Sequence, residues 1–107
     1  MKDDPVLKLH VGEILKIVQK IAPGKSVELR IPNYGAIQCV SGSVHRRGTP
    51  SNVVEMSAQT LINLAQNPHE WEELCSMGMI SASGTNSNLQ ELFIQISKLK
   101  QESRLEI

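Results

Sequence analysis

The fold is decided by SVELRIPNYGAIQCV, residues 26–40, in which apolar and polar side chains alternate with a period of two. Val27, Leu29 and Ile31 share one face and the side chains between them are charged, which is typical of a strand with one buried face. A Pro-Asn-Tyr-Gly turn follows, and the alternation then resumes. The stretch therefore predicts two strands joined by a turn and paired antiparallel.

An amphipathic helix is predicted upstream of this hairpin. Asp4 suits the cap position, and Pro5 suits the first helical position, where the missing N–H costs nothing. Apolar side chains then recur at helical spacing from Leu7 to Ile21, and a Pro-Gly pair ends the pattern.

Five further elements are predicted downstream of the hairpin. They are a strand, a short helix capped by Ser57, a second short helix opened by a capping box of Asn67 and Glu70, another strand and a final amphipathic helix, at residues 52–56, 57–65, 67–78, 79–83 and 88–99. Three consecutive strands with short connections predict a meander. The chain therefore indicates one α+β domain spanning 1–107, with an antiparallel sheet of four to five strands covered by helices and a frayed tail at 101–107.

Composition limits the classes of function. Apolar residues make up 40% of the chain but aromatic residues only 3%, so the core must be aliphatic. The 11 basic and 11 acidic side chains balance, which argues against a binder of nucleic acid, because such a protein needs a net basic face. No apolar run approaches the roughly 20 residues of a membrane span.

Two cysteines and the start of the chain bear on the compartment. Cys39 and Cys75 lie far apart in sequence, which favours buried thiols over a disulfide. The first residues are charged and the amphipathic pattern that follows is not that of a secretory signal. We expect a cytoplasmic protein.

Patterns that carry catalytic chemistry are missing from the sequence. His10, His45 and His69 are dispersed, without the spacing that zinc ligands share on a helix. The glycines lie in turns and form no phosphate-binding loop, and no serine has the frame of a nucleophile elbow. We therefore predict no enzyme, no catalytic residue, no metal site and no cofactor.

Two features leave alternatives open. Arg46 and Arg47 could bind a phosphate or carboxylate head group, lie in a solvated hairpin loop, or brace that loop from inside. The flexible side chains of Met56, Met77 and Met79 could line an adaptable apolar pocket or simply fill the core. Trp71, the only tryptophan, could likewise anchor its helix to the sheet or form a pocket wall.

Several short motifs resemble a known family. The order of NVVEMS at 52–57, an Asn-Pro helix start at 67–68, Met-Gly at 77–78 and Gly84 resembles the sterol carrier protein type 2 domain. More narrowly, VELRIP at 27–32, YGAIQCV at 34–40 and HRRGTP at 45–50 are similar to the small sterol-carrier-like proteins of actinobacteria.

The resemblance implies an apolar cavity between sheet and helices that accepts fatty acyl chains or sterols. We predict that Arg46 and Arg47 meet the polar head of this hydrophobic small molecule while six other side chains line the apolar space, namely Val54, Met56, Leu61, Trp71, Met79 and Phe93. One alternative is an interaction module with a packed core that binds a protein partner or forms a homodimer. Another is an accessory module, because similar domains form the C-terminal part of mycothiol-dependent isomerases.

Overall fold

A computed structural model describes residues 4–44 and 48–103 of the chain, with side chains as far as residue 99. In chain order, the elements are α1 (Pro5–Ile21), β1 (Val27–Ile31), β2 (Gly35–Cys39), β3 (Asn52–Met56), α2 (Ala58–Gln66), a 3-10 turn (Pro68–Glu70), α3 (Trp71–Ser76), β4 (Ile80–Ser83) and α4 (Gln90–Ser103). Every predicted helix and strand corresponds to one of these elements.

The four strands form one mixed sheet in the order β2-β1-β3-β4. β1 pairs antiparallel with β2, as predicted, and β3 pairs antiparallel with β4. However, β1 and β3 are parallel, with Leu29 opposite Val54. The α+β class is confirmed, but the predicted meander and purely antiparallel sheet are wrong. The connection between β2 and β3 is long enough to pass the end of β1 and bring β3 to the free edge of that strand.

The two faces of the sheet differ as the period-two pattern predicts. On one face, Val27, Leu29, Ile31 and their neighbours on β3 are buried beneath the helices. The alternate positions are partly or fully exposed and lie on the face that the described helices leave uncovered; they are Glu28 and Arg30 on β1 and Val53 and Glu55 on β3. The sheet is therefore covered on one side, and its alternation separates core from solvent.

The core is aliphatic with a single aromatic pair. It joins buried side chains from the covered face of the sheet with those of α1, α2 and α4, including Val11, Ile14, Val18, Leu61, Leu64, Phe93 and Ile96. The rings of Trp71 and Phe93 stack with centroids 6.4 Å apart. Trp71 thus packs α3 against α4 inside the core, whereas the two roles predicted for it were to anchor its helix to the sheet or to form a pocket wall. In the described part of the chain, no helix is long and apolar enough to cross a membrane.

Most of the predicted helix starts are confirmed by hydrogen bonds. The Asp4 carboxylate accepts from the backbone N–H groups of Val6 and Leu7, at 2.9 and 3.3 Å. The Ser57 hydroxyl accepts from the N–H of Thr60 at 3.1 Å. These caps satisfy backbone donors that have no partner within the helix.

The capping box predicted for Asn67 and Glu70 is wrong. The Asn67 side chain makes no cap hydrogen bond, and its ψ of 69° departs from the extended geometry of a helix cap. Residues 68–70 instead form a 3-10 turn in which the Glu70 N–H bonds to the Asn67 carbonyl at 3.1 Å. The tighter turn satisfies the backbone without the side chain.

Candidate functional site at the end of strand β3

The candidate site is an open groove of about 440 Å³ over the C-terminal end of β3. Its walls are mostly apolar, whereas comparable recesses near Pro68 and near Leu89 have more polar walls. The lining residues come from the start of α1, the β1–β2 turn, the β3–α2 junction and the α3–β4 turn: Leu7, Pro32, Asn33, Tyr34, Glu55, Met56, Ser57, Ala58, Gln59, Gly78, Met79 and Ser81.

The inner part of the groove is fixed by the junction of β3 and α2. Met56 ends the strand, Ser57 caps the helix and Ala58 begins it. Met56 and Ala58 are buried, so they present apolar surface from the covered side of the sheet. The groove therefore opens where the space between sheet and helices reaches solvent.

The first wall is the β1–β2 turn. The Tyr34 N–H closes this turn by donating to the Ile31 carbonyl at 2.9 Å. Asn33 adopts a left-handed φ of 71°, which asparagine tolerates better than most residues. The Tyr34 hydroxyl accepts a bond from the Asp4 N–H at 3.4 Å, so the turn lies beside the start of α1.

The second wall is the α3–β4 turn, where Gly78 ends the helix as predicted. The Gly78 N–H donates to the Cys75 carbonyl at 3.1 Å, and the Met79 N–H donates to the Leu74 carbonyl at 2.9 Å. This pair of bonds is a Schellman motif, and it needs the left-handed φ of 78° that glycine adopts easily. The motif holds Met79 at the groove with 47% of its surface exposed.

The described lining of the groove carries a negative charge. Glu55 is the only charged side chain among its described lining residues. Arg30 lies opposite Glu55 in the parallel β1–β3 ladder, but its Nε donates to Glu28 at 2.7 Å. The Glu28 carboxylate, and more weakly Glu55, raise the pKa of Arg30 above its usual range. Together the three side chains carry one net negative charge.

The residues predicted to bind a ligand do not all meet in one place. Met56 and Met79 line the groove. The other four apolar residues lie in the packed core, where each is almost fully buried: Val54, Leu61, Trp71 and Phe93. Arg46 and Arg47 lie outside the described residues. The groove itself lies at the C-terminal end of β3, and its described lining includes no arginine.

Sequence reasoning missed several residues of the groove. Leu7, Tyr34, Glu55 and Ala58 line it although the patterns indicated only a helix face, a turn, a strand position and a helix start. The Pro-Asn-Tyr-Gly turn was the one available signal, because an aromatic residue in a tight turn needs a neighbouring surface to pack against, and Tyr34 is partly buried against the core. Nothing local in the sequence shows that this turn packs beside α1.

The described residues do not suggest a metal centre. Within 4–44 and 48–99, no three His, Cys, Asp or Glu side chains come together in a way that could hold a metal ion. Cys39 is a buried free thiol and Cys75 a partly buried one, in agreement with the sequence-based interpretation. Neither thiol lines the groove.

The two thiols should differ sharply in reactivity. Burial raises the pKa of Cys39 from its ordinary value of 9.0 to about 11, while burial and then the Glu72 carboxylate raise the pKa of the more accessible Cys75. Because the thiolate is the nucleophile, we expect iodoacetamide at pH 8.5 to label Cys75 at least about tenfold faster than Cys39, as measured by peptide mass spectrometry. Equal rates in the folded protein would contradict this assignment.

The same shift has a consequence for stability. The unfolded chain ionises Cys39 near its ordinary pKa of 9.0, whereas the folded chain keeps it protonated to about 11. The contribution of this thiol to stability is therefore complete below pH 9 and is lost as the pH rises toward 11.

Comparisons with known proteins agree on the type of domain. A family model described as "Bacterial SCP ortholog" matches residues 4–94. A solved structure described as "UbiJ-SCP2 Ubiquinone synthesis protein" superposes with a TM-score of 0.56 and covers 94% of this chain and 97% of its own, at 11% sequence identity. At that identity the likeness concerns the fold alone. A search of curated proteins finds no match.

Proposed function

The chain belongs to the family of bacterial sterol carrier protein orthologs, and from that premise we propose that it binds a lipid or another hydrophobic small molecule. The proposed site is the groove over the end of β3. The protein acts as a carrier of this molecule and not as an enzyme. The free thiols Cys39 and Cys75 suit a reducing compartment, so we place this activity in the cytoplasm.

The observation that supports the proposal is the apolar lining of the groove around two methionines. Met79 exposes 47% of its surface at a concave site, and Met56 lies buried behind the groove. Methionine has three rotatable bonds and a polarisable sulfur, so it adapts to ligands of different shape. An alkyl or isoprenoid chain placed here would remove apolar surface from water on both molecules.

This site changes the ligand position that the sequence predicted. Val54, Leu61, Trp71 and Phe93 already contact other core side chains, so an internal ligand would have to displace them. A ligand in the groove contacts Met56 and Met79 without disturbing that packing. Since the structural neighbour is described as a ubiquinone synthesis protein, an isoprenoid belongs among the first ligands to test. We retain fatty acyl chains and sterols, which the sequence resemblance to the sterol carrier protein type 2 domain implies.

A second candidate is an interaction module that contacts a protein partner or a second copy of the chain. The observation that favours it is on α1, where Val6 and Leu9 are large apolar residues with most of their surface exposed. Positions three apart lie on one side of a helix, so the two side chains form a single apolar spot. The binding experiment described next separates the two candidates.

The test of the proposed function is the Met79→Gln variant. Glutamine has nearly the size of methionine but is costly to remove from water, so we expect a bound apolar ligand to be held about tenfold more weakly. Affinity is measured by titrating the neutral fluorescent probe 1-N-phenylnaphthylamine. Because Met79 is half exposed, the fold should survive.

The matched control is Met77→Gln. Met77 exposes 65% of its surface two residues away, but it does not line the groove. We expect this variant to bind the probe as the unchanged protein does. If neither the probe nor any fatty acyl, sterol or isoprenoid ligand binds to the unchanged protein, the carrier function is wrong and the interaction module gains support.

A further inference from the structure

We infer that the groove over the end of β3 selects ligands whose polar end donates a hydrogen bond, such as an alcohol, and discriminates against carboxylates. This inference rests on the proposed function and adds the chemistry of the ligand's polar end. It reverses the sequence-based prediction, in which two arginines would receive an acidic head group.

The negative charge of Glu55 disfavours a carboxylate ligand in the groove. A carboxylate ligand in the groove would approach Glu55, the only charged side chain among the described lining residues. Two like charges a few ångströms apart at a protein surface repel strongly enough to weaken binding on the order of tenfold. Arg30 lies opposite Glu55 and offsets part of this charge, but its Nε is bonded to Glu28, so the three side chains keep one net negative charge beside the groove.

The Glu55 carboxylate also favours a ligand that donates a hydrogen bond. An ionised carboxylate such as that of Glu55 only accepts hydrogen bonds, so its natural ligand partner is a donor. The hydroxyls of Ser81 and Tyr34, which also line the groove, can accept as well. The same hydroxyls, and the side-chain amides of Asn33 and Gln59, can also donate to a ligand carboxylate. The discrimination therefore rests on Glu55, to which an alcohol can donate and a carboxylate cannot.

The polar and apolar residues of the groove lie at different sides of it. Glu55 and Ser81 are partners in the β3–β4 ladder, so their side chains stand side by side on the uncovered face of the sheet. Met56 and Ala58 lie at the inner side of the same groove and are buried. An amphiphile is thus oriented with its apolar chain toward the β3–α2 junction and its polar end toward the Glu55–Ser81 pair.

The experiment compares two ligands with the same alkyl chain, decan-1-ol and decanoate, at pH 7.5. Each displaces the neutral probe 1-N-phenylnaphthylamine from the unchanged protein, from Glu55→Gln and from Glu91→Gln. Glu91→Gln is the matched control, because it changes the net charge of the protein by the same amount as Glu55→Gln. Glu91 lies in the recess near Leu89 and not in this groove. Removing the carboxylate of decanoate from water is costly in any protein site, so weaker binding of decanoate alone does not identify Glu55 as the cause. The diagnostic quantity is therefore the change that each variant makes in the ratio of decan-1-ol affinity to decanoate affinity.

We expect the unchanged protein and Glu91→Gln to bind decan-1-ol at least about tenfold more tightly than decanoate, and Glu55→Gln to reduce that ratio about tenfold. If the probe binds but decanoate competes as well as the alcohol, the inference is wrong and the carrier function stands. A ratio that Glu55→Gln leaves unchanged also overturns it, since the selectivity would then not come from Glu55. If no probe or ligand binds, both the function and the inference fail.

Discussion

Replacing Gly24 with alanine is expected to remove about 4 kcal/mol or more from the free energy of unfolding. A Cβ added at Gly24 would overlap the carbonyl carbon and oxygen of Val40. These are backbone atoms that cannot rotate away as the end of a side chain could. The loss is comparable to the whole stability of a small domain, which is about 5–15 kcal/mol, so much of the variant should be unfolded.

Val40 cannot move because its backbone is bonded on both sides. Its N–H donates to the Ala22 carbonyl at 2.7 Å, and its carbonyl accepts from the N–H and the hydroxyl of Ser26, at 3.0 and 2.8 Å. Val40 also has a left-handed φ of 65°, which is unfavourable for a β-branched residue and persists only where its surroundings enforce it. Any shift that relieves the overlap would break these bonds.

The measurement is urea denaturation followed by the fluorescence of Trp71, the only tryptophan and a buried one. The control is Gly12→Ala within α1, where an added Cβ meets no atom within 4 Å. Alanine is the better helix former there, so this control should gain about 0.5–1 kcal/mol. A Gly24→Ala variant that unfolds at the urea concentration of the unchanged protein would show that the Gly24 contact with Val40 is not tight.

The elements could be predicted from sequence because each is encoded locally. The alternation of Val27, Leu29 and Ile31 defines β1, and the Asp4-Pro5 pair defines the start of α1. The parallel pairing of β1 with β3 could not be predicted in this way. After β2 the chain can place β3 beside β2, which gives a meander, or beside the free edge of β1, which gives the observed order. A strand with one apolar face fits either place, so the sequence pattern does not decide between them.

The site was partly predictable for a related reason. Met56, Met77 and Met79 were identified because flexible apolar residues near one junction suggest a pocket, and two of them, Met56 and Met79, line the groove. Val54, Leu61 and Phe93 have the same apolar character, and the sequence cannot show that they pack against each other and not against a ligand. In the sequence, Glu55 is one of the polar residues in the alternation of β3 and has no feature that marks a site. In the structure it is the only charged side chain among the described residues that line the groove.

The Asn52→Leu variant should lose about 3 kcal/mol of stability, because it removes two long-range hydrogen bonds of a buried polar side chain in the mixed sheet. Asn52 is almost fully buried at the start of β3. Its Nδ2 donates to the Ser26 carbonyl at 2.8 Å, and its Oδ1 accepts from the Asn86 N–H at 2.9 Å. Leucine has the same shape but neither bond, so it would leave the Asn86 donor without its partner in a partly buried place.

This asparagine connects the residue before β1, the start of β3 and the loop after β4, which explains its importance for the parallel pairing. Gly84 packs so closely against its amide that an added Cβ would overlap Oδ1. The matched control is Asn63→Leu on the exposed surface of α2, where the change should stay within about 0.5 kcal/mol. If urea denaturation gives both leucine variants the same stability, the Asn52 bonds do not hold the crossover, and the parallel pairing must rest on the apolar contacts of β1 and β3 alone.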